Sequence, residues 1–479
     1  MCFVCFVVKL LKILDYNSSY YFDDKQIIIC LGEIMPNCSE KILVIGAGPT
    51  GLAMAKALTD AKIVYDQVEA DDGVGGNWYH GVYRTAHIIS SKKTTEYADF
   101  PMPDDYPDFP SQQQMADYYK LYADSFGLWE NIEFGTKIVM VKPVEKDFWE
   151  VELANGEKRI YKGVAVCNGH HWDRRFPAYE GKFTGEFIHS KDYKSPEQLA
   201  AKRVLVIGGG NSACDVVAEA ARVAAEAHLS LRRGYWFLPK TLFGKPSAES
   251  PAVYLPVFIQ RFVLKIMLRV VVGKYENYGL PHPDHKLFEH HPTVNSELLH
   301  YLKHGRITPH GDIKRFDGKT VYFVDGTNAE FDTIVCGTGF YVSFPFLPEG
   351  LISVKHGNIA LLYGGCVLPD YKNLYIIGTQ QVRYGVGPLL TPATKLIAKM
   401  MKLQDKMELP IGLVMKESGA KLPTTHLIDP IASLRRMRIA DYTLPLLLRK
   451  EKKLRKKFAN DLDKQENFAP QSNSNIEVY

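Results

Sequence analysis

An α/β fold with two Rossmann-like dinucleotide-binding domains and small antiparallel β layers is predicted for this chain by two passages and the turn signal between them. The first passage is the apolar run Lys41-Ile42-Leu43-Val44-Ile45, then Gly46-Ala47-Gly48-Pro49-Thr50-Gly51 and the helical stretch Leu52-Ala53-Met54-Ala55-Lys56-Ala57-Leu58. The second is Arg203-Val204-Leu205-Val206-Ile207, then Gly208-Gly209-Gly210-Asn211-Ser212-Ala213 and an alanine-rich helix reaching about Ala227. Between them, Asn155-Gly156 separates Phe148–Leu153 from Lys158–Tyr161, which predicts a type I′ hairpin and an antiparallel layer.

The first passage is a complete strand–loop–helix fingerprint in its required order. Gly46 permits the tight turn, Gly48 lets backbone approach a pyrophosphate, and Gly51 allows close helix packing, while Pro49 and Thr50 open a helix whose N-terminus favours an anion. Glu69 follows Gln67-Val68 at the distance where a carboxylate accepts hydrogen bonds from ribose hydroxyls.

In the second passage Gly208 and Gly210 repeat the loop, Asn211 and Ser212 open the helix, and Ala213 takes the third glycine's place as an accepted variant. No acid stands at the end of its second strand. Arg232 and Arg233 stand there instead, and guanidinium groups pair well with a 2′-phosphate. This half is therefore expected to take NADPH, with a solvated pair of surface charges as the alternative reading. Two nucleotide sites of opposite preference imply electron transfer between dinucleotides, and FAD is the usual partner of a nicotinamide.

The 479 residues suffice for two or three domains. A net charge of +4 is too small and dispersed to point to nucleic acid. Eight cysteines give no disulfide framework, and Cys2-Phe3-Val4-Cys5 lacks the strand-to-helix setting of a redox pair. Residues 1–34 are read as a dispensable extension and not an export signal. Between Ala252 and Val272 an apolar stretch carries Arg261, Lys265 and Arg269 at four-residue spacing, so an amphipathic helix is expected, docked on the body or lying at a membrane surface. The basic run Leu448–Lys457 is read as a solvated helix end. The expected location is the cytoplasm, with membrane association the minority reading.

Around the fingerprints the short signatures resemble the class B flavin-containing monooxygenase family. Phe183-Thr184-Gly185, His189 and Tyr193 match that family's FxGxxxHxxxY pattern at every fixed position. Lys194 replaces Pro and Tyr193 stands in place of Trp, which favours the N- and S-oxygenating branch. Further similarity lies in Gly75-Gly76-Asn77-Trp78, Gly169-His170-His171-Trp172, Cys336-Gly337-Thr338-Gly339-Phe340 and Tyr375-Ile376-Ile377-Gly378, together spanning roughly Lys41 to Ala398.

The resemblance implies an FAD domain in two parts, 37–176 and 326–445, interrupted by an NADPH domain at 177–325, with an extension at 1–36 and a tail at 446–479. It implies an NADPH- and O2-dependent monooxygenase working through a C4a-hydroperoxyflavin on a small amine or sulfide. Gly76, Asn77, Trp78, Ile89, Ser90, Gly339 and Gly378 are then expected beside the cofactors. Ile89 stands where many members carry an Asn facing the flavin, so Ser90, Ser91 or Asn77 supplies the polar group, or the enzyme leaks peroxide; Ser90 and Asn77 are the preferred candidates. No metal site is expected, since adjacent histidines such as His170-His171 and His290-His291 share no fixed ligand geometry. His189 is a linker residue in the family pattern, with a hydrogen-bonded core histidine and a part in domain motion both open. The alternatives are a carbon-oxygenating relative, a non-turnover redox sensor, and a dithiol reductase.

Overall fold

The computed structural model describes residues 40–144 and 147–467. The expectations for Cys2–Cys5, for residues 1–34 and for the polar end of the tail lie outside the described residues.

Ten strands form two parallel sheets. Along the chain they are β1 (Ile42–Ile45), β2 (Tyr65–Val68), β3 (Ile132–Glu133), β4 (Gly163–Val166), β5 (Glu186–His189), β6 (Arg203–Ile207), β7 (Glu226–Ser230), β8 (Thr308–His310), β9 (Thr333–Cys336) and β10 (Leu374–Ile376). The first sheet has the order β10-β4-β1-β2-β3 and the second β8-β7-β6-β9-β5. Each glycine loop leaves the carboxyl end of its sheet's central strand, where open α/β sheets bind ligands. The second sheet reaches past Asp325, the expected end of the NADPH domain. β9 belongs to it because Val204–Ile207 pair with Thr333–Cys336.

The helices used below are α1 (Pro49–Asp60), α2 (Gln112–Ser125), α3 (Asn211–Val223), α4 (Val257–Val271), α5 (Leu298–Lys303), α6 (Gly387–Gln404), α7 (Pro430–Thr443) and α8 (Leu446–Asn467). Successive strand residues point to opposite faces, so a sheet covered on both sides needs a continuous apolar run. In β1, Ile42 and Val44 enter the core that also holds α1, α2 and α6, while Leu43 and Ile45 enter the opposite core with Trp149 and Tyr161. In β6, Val204 and Val206 face α3 and α4, and Leu205 and Ile207 face Phe316 and Phe331. Each such buried aliphatic side chain contributes about 1.5–3 kcal/mol.

The antiparallel layer forms from Ile138–Val144, Phe148–Leu153 and Lys158–Tyr161. Its hairpin differs from the expected type I′ turn. Gly156 has φ 87° but Asn155 is not in the left-handed region. The Gly156 N–H donates to Leu153 O at 2.9 Å and the Leu153 N–H to Glu157 O at 2.9 Å, so the turn holds three residues and needs positive φ only at its glycine.

The apolar stretch at 252–272 folds as α4, docked through Gln260, Leu264 and Leu268. A second apolar stripe, Phe258, Phe262, Ile266 and Val270, faces water, with Phe258 72% and Val270 79% exposed. Among the described residues no helix is long and apolar enough to cross a membrane. The basic run lies on α8, which is docked and not a free tail: Leu447, Leu448 and Leu454 pack on the first core. Glu451, 2% exposed, accepts from the Glu408 and Leu409 amides.

Candidate functional site

The two glycine loops repeat one construction. Gly46 has φ 100°, and a Cβ there would sit 2.8 Å from Cys167 O; Gly208 has φ 114°, and its Cβ would sit 2.5 Å from Gly337 O. In each sheet the loop thus presses against the residue that follows the neighbouring strand, so only glycine fits. The third position explains the Gly/Ala difference. A Cβ on Gly51 would lie 1.9 Å from Gly46 O, whereas Ala213 is accommodated because its neighbour is Gly337, whose own Cβ would meet Ala213 Cβ at 2.5 Å.

Both helices begin without a side-chain cap and without an acid in the first turn. Their leading N–H groups and positive dipole ends are left for an anion. Gly48 and Gly76 stand side by side, a Cβ on Gly48 meeting Gly76 Cα at an ordinary 3.6 Å, so the two glycines leave a groove of bare backbone beside the first loop. Glu69, at the end of β2, accepts from the Ala47 N–H at 2.6 Å and from the Asp71 N–H at 3.0 Å, fixing a carboxylate at the ribose position. Buried Gln67 donates from Nε2 to Gly46 O at 2.8 Å, a brace that the sequence reading passed over. These features fit the pyrophosphate and ribose of FAD.

At the second loop Arg232 and Arg233 follow the end of β7; Arg232 is exposed, and Arg233 is half-buried over the Tyr235 ring. Both stand one strand over from the loop, as a 2′-phosphate requires. Segment 293–295, whose role sequence left open, braces this loop. Thr293 Oγ1 donates to Gly209 O at 2.5 Å and the Val294 N–H donates to Asn211 Oδ1 at 2.8 Å.

Between the loops several expected residues converge. Asn77 Nδ2 donates to His171 O at 2.9 Å, and Lys191 Nζ donates to Asn77 Oδ1 at 2.5 Å. Asn77 therefore ties the turn Gly76–Trp78 to the interdomain crossing and to the segment after β5. Trp78 O accepts from Gln112 Nε2 at 2.5 Å. His170 packs on His171 at 4.1 Å and shares a 2.8 Å hydrogen bond with Gly378 O. The protein packed around the His171 ring, and then the neighbouring His170, His426, His291 and Lys191, lower its pKa from the ordinary value. Lys191 is drawn down to about 8, chiefly by burial and then by Lys194 and Arg174. Among the described residues no three metal-ligating side chains gather.

Ile89 and Ser90 are half-buried, and Ser90 Oγ shares a 2.6 Å hydrogen bond with Thr95 Oγ1. Ser91 is the cap of a one-turn helix and is spent on Thr94. Of the polar groups weighed for the flavin face, Ser90 thus keeps the simpler set of ties, and Asn77 is engaged on both its amide atoms.

In the FxGxxxHxxxY stretch, Phe183 is packed in the core beside Phe316, and Gly185 lies where a Cβ would come within 2.6 Å of Asp332 O. His189 is fully buried and held on both nitrogens, donating from Nε2 to Gly339 O at 3.0 Å and accepting at Nδ1 from the Lys191 N–H at 3.1 Å. That is the hydrogen-bonded core histidine. Tyr193, fully buried, donates to Glu219 on α3.

The described cysteines Cys167, Cys214, Cys336 and Cys366 are all free and buried. Burial raises their thiols, to about 12 for Cys336 and Cys366. None offers the thiolate that a dithiol reductase needs.

Comparison with known proteins follows the same lines. Residues 39–416 match the family described as Flavin-binding monooxygenase-like. Flavin-containing monooxygenase 5 of Homo sapiens is 32% identical over 386 residues, 73% of this chain and 71% of that protein. The N-oxide-forming dimethylaniline monooxygenase 2 of Oryctolagus cuniculus is 31% identical over 360 residues, 67% of this chain and 66% of that one. Among solved structures, S-allyl-L-cysteine S-oxygenase from Allium sativum shares the fold with TM-score 0.58 at 21% identity, covering 82% of this chain and 86% of that one. An oxidised steroid monooxygenase bound to NADP does so with TM-score 0.60 at 19% identity, covering 77% and 86%. With both nucleotide loops built as described, the chain belongs to the flavin-binding monooxygenase-like family and is an FAD-dependent NADPH monooxygenase.

Proposed function

We propose that the enzyme inserts one atom of dioxygen into a soft nitrogen or sulfur of a small organic substrate, an amine or a sulfide. The observation that carries this reading lies at the close of the FxGxxxHxxxY stretch. Tyr193 and Lys194, at the variable end of the family pattern, support the same branch, as do the N-oxide-forming and S-oxygenating activities in the names of similar proteins.

FAD, when bound, would supply the hydride-accepting and dioxygen-activating chemistry. The chain's own residues bind, orient and shield. The loop Gly46–Gly51 and Glu69 take the flavin's pyrophosphate and ribose, and the loop Gly208–Ala213 with Arg232 and Arg233 takes NADPH. Asn77 and Lys191 hold the two halves of the cleft together and so limit water, whose entry would release peroxide in place of product. We place the enzyme in the cytoplasm, with the exposed stripe of α4 resting on a lipid surface.

The test is turnover under ¹⁸O2 with a tertiary amine, a thioether, a cyclic ketone and a 2-oxo acid, each product identified by mass. An N-oxide or S-oxide carrying one ¹⁸O on an unchanged carbon skeleton is the expected result. An ester from the ketone, or decarboxylation of the oxo acid, would establish the carbon-oxygenating reading. Flavin reduction without sustained NADPH use would mark a redox sensor.

A further inference from the structure

A turn in the flavin half, residues 83–87, meets the second nucleotide half through polar groups, of which Tyr83 is buried. Tyr83 Oη donates to Asp215 Oδ2 at 2.8 Å, Thr85 Oγ1 donates to Glu219, and His87 contacts Lys240. Asp215 and Glu219 lie four apart on α3 and so share one face. They are only 7% and 6% exposed.

Asp215 is also joined from the other side. Its Oδ1 accepts from Asn295 Nδ2 at 2.8 Å, and Asn295 is the last residue of the segment that braces the Gly208–Ala213 loop through Thr293 and Val294. Asn295 Oδ1 in turn accepts from the Glu297 and Leu298 amides, both at 2.8 Å, at the start of α5. Each oxygen of one buried carboxylate is therefore held by a donor from a different half. A few residues beyond Tyr83 come Ile89 and Ser90.

A buried carboxylate is costly unless every lone pair that matters is met, and a fully met one fixes a single arrangement of its partners. We propose that Asp215 is a positioning residue through which the NADPH loop sets the placement of the segment carrying Ile89 and Ser90 against the flavin. Binding of the nicotinamide nucleotide and order at the flavin face are then two ends of one hydrogen-bonded chain: loop, segment 293–295, Asp215, Tyr83. The proposal rests on Ile89 and Ser90 lying at the flavin.

The test uses the FAD-loaded enzyme and the absorbance difference that NADP⁺ produces in the flavin band. Tyr83→Phe removes one hydroxyl and keeps the ring. It is expected to diminish that difference spectrum and to raise the peroxide released per NADPH at least about threefold, with FAD content unchanged. Asn295→Asp sets two carboxylates face to face and should raise the NADP⁺ dissociation constant roughly 5- to 30-fold. Combined with Asp215→Asn, the amide and carboxylate change places, every hydrogen bond of the pair is kept, and both readouts return to those of the parent. Loss of thermal stability alone, with spectrum and peroxide yield unmoved, would make Asp215 a merely structural residue and overturn the proposal, as would failure of the exchanged pair to restore binding in folded, FAD-replete protein. Ile89→Asn is carried alongside: a shifted flavin band there beside a silent Tyr83→Phe rejects the link, and an unshifted band rejects the placement of Ile89.

Discussion

His189 and Gly339 are joined by a 3.0 Å hydrogen bond from imidazole Nε2 to carbonyl oxygen, and the same ring accepts the Lys191 N–H at Nδ1. The neutral tautomer with the proton on Nε2 is thereby fixed. Burial, the leading cause, lowers the pKa of this imidazole. The ring ties the end of β5 to the return after β9, both in the second sheet. His189→Phe keeps a ring of similar bulk but leaves the Lys191 amide unmet, while the Gly339 carbonyl keeps the Arg175 N–H at 3.0 Å. One such unmet buried group costs about 1–3 kcal/mol. Denaturant unfolding of the variant is expected to show a loss in that range, with FAD still bound; an unchanged midpoint would deny the ring its bracing role.

Gly48 and Gly51 should respond in opposite ways. Gly48 has φ −72°, which any residue adopts, and its Cβ would meet Gly76 only at ordinary contact distance, 3.6 Å. Gly48→Val is therefore expected to fold and to fill the groove meant for pyrophosphate, so the purified protein should be colourless with near-parental melting of the apo form. Gly51→Ala drives a methyl to 1.9 Å from Gly46 O. That variant should fail to accumulate as soluble protein.

These loops were legible because everything that makes them is contiguous: strand, glycines and helix lie within one short run of sequence. The site's polar ties were not. Asn77 and Lys191 are 114 residues apart and Tyr83 and Asp215 are 132 apart, and no periodicity announces which polar side chain will be buried with which partner. For that reason Asn77 read as a free flavin-facing group, whereas its amide is bonded to both the His171 carbonyl and Lys191. The hairpin at Gly156 read as a two-residue turn because an Asn-Gly pair serves either turn, and only the strand register decides between them.

Arg232 and Arg233 set the nucleotide preference if they meet the 2′-phosphate. A charge-assisted hydrogen bond contributes about 1.5–3 kcal/mol, so Arg232→Ala should raise KM for NADPH roughly 10- to 100-fold and leave KM for NADH nearly unchanged. Steady-state kinetics with both coenzymes decides it. Equal weakening toward NADPH and NADH would move the 2′-phosphate elsewhere.

Lys191 supplies a pH dependence whose sign differs between coupling and stability. Its ammonium is lost as pH rises through about 8, below the ordinary 10.5, and with it goes the charge-assisted donor to Asn77. Coupling of NADPH use to product should fall above that pH; Lys191→Met should remove the break, and Lys191→Arg should carry it beyond pH 10. Between pH 8 and 10.5 the unfolded chain holds a proton at this site that the folded one does not. Stability therefore rises with pH over that window, and Lys191→Met should flatten the rise. A melting curve and a peroxide assay run over the same pH series read both.

The water-facing stripe of α4 makes the remaining prediction. Its apolar residues recur at Phe258, Phe262, Ile266 and Val270, the spacing of one helical face. Phe243, 93% exposed, stands earlier in the chain in a left-handed turn with φ 51°. Arg261, Lys265 and Arg269 form the neighbouring stripe; Arg261 reaches Leu287 O through Nε and Lys265 lies 5.5 Å from the Trp236 ring centroid. An apolar stripe beside a basic one is the pattern of a helix lying in the headgroup layer of an anionic bilayer. Vesicles containing phosphatidylserine should therefore sediment the enzyme, and vesicles of phosphatidylcholine alone should hold it more weakly. Phe258→Ser with Phe262→Ser removes on the order of 2 kcal/mol of apolar transfer, about 30-fold in partitioning, without touching Gln260, Leu264 or Leu268, which dock the helix. Added salt should release the enzyme from the anionic vesicles and leave the contribution of the two Phe residues in place. If the double variant sediments like the parent, the stripe is not what meets the lipid; if the parent instead elutes as a dimer that the double variant breaks, the face belongs to a second copy of the chain.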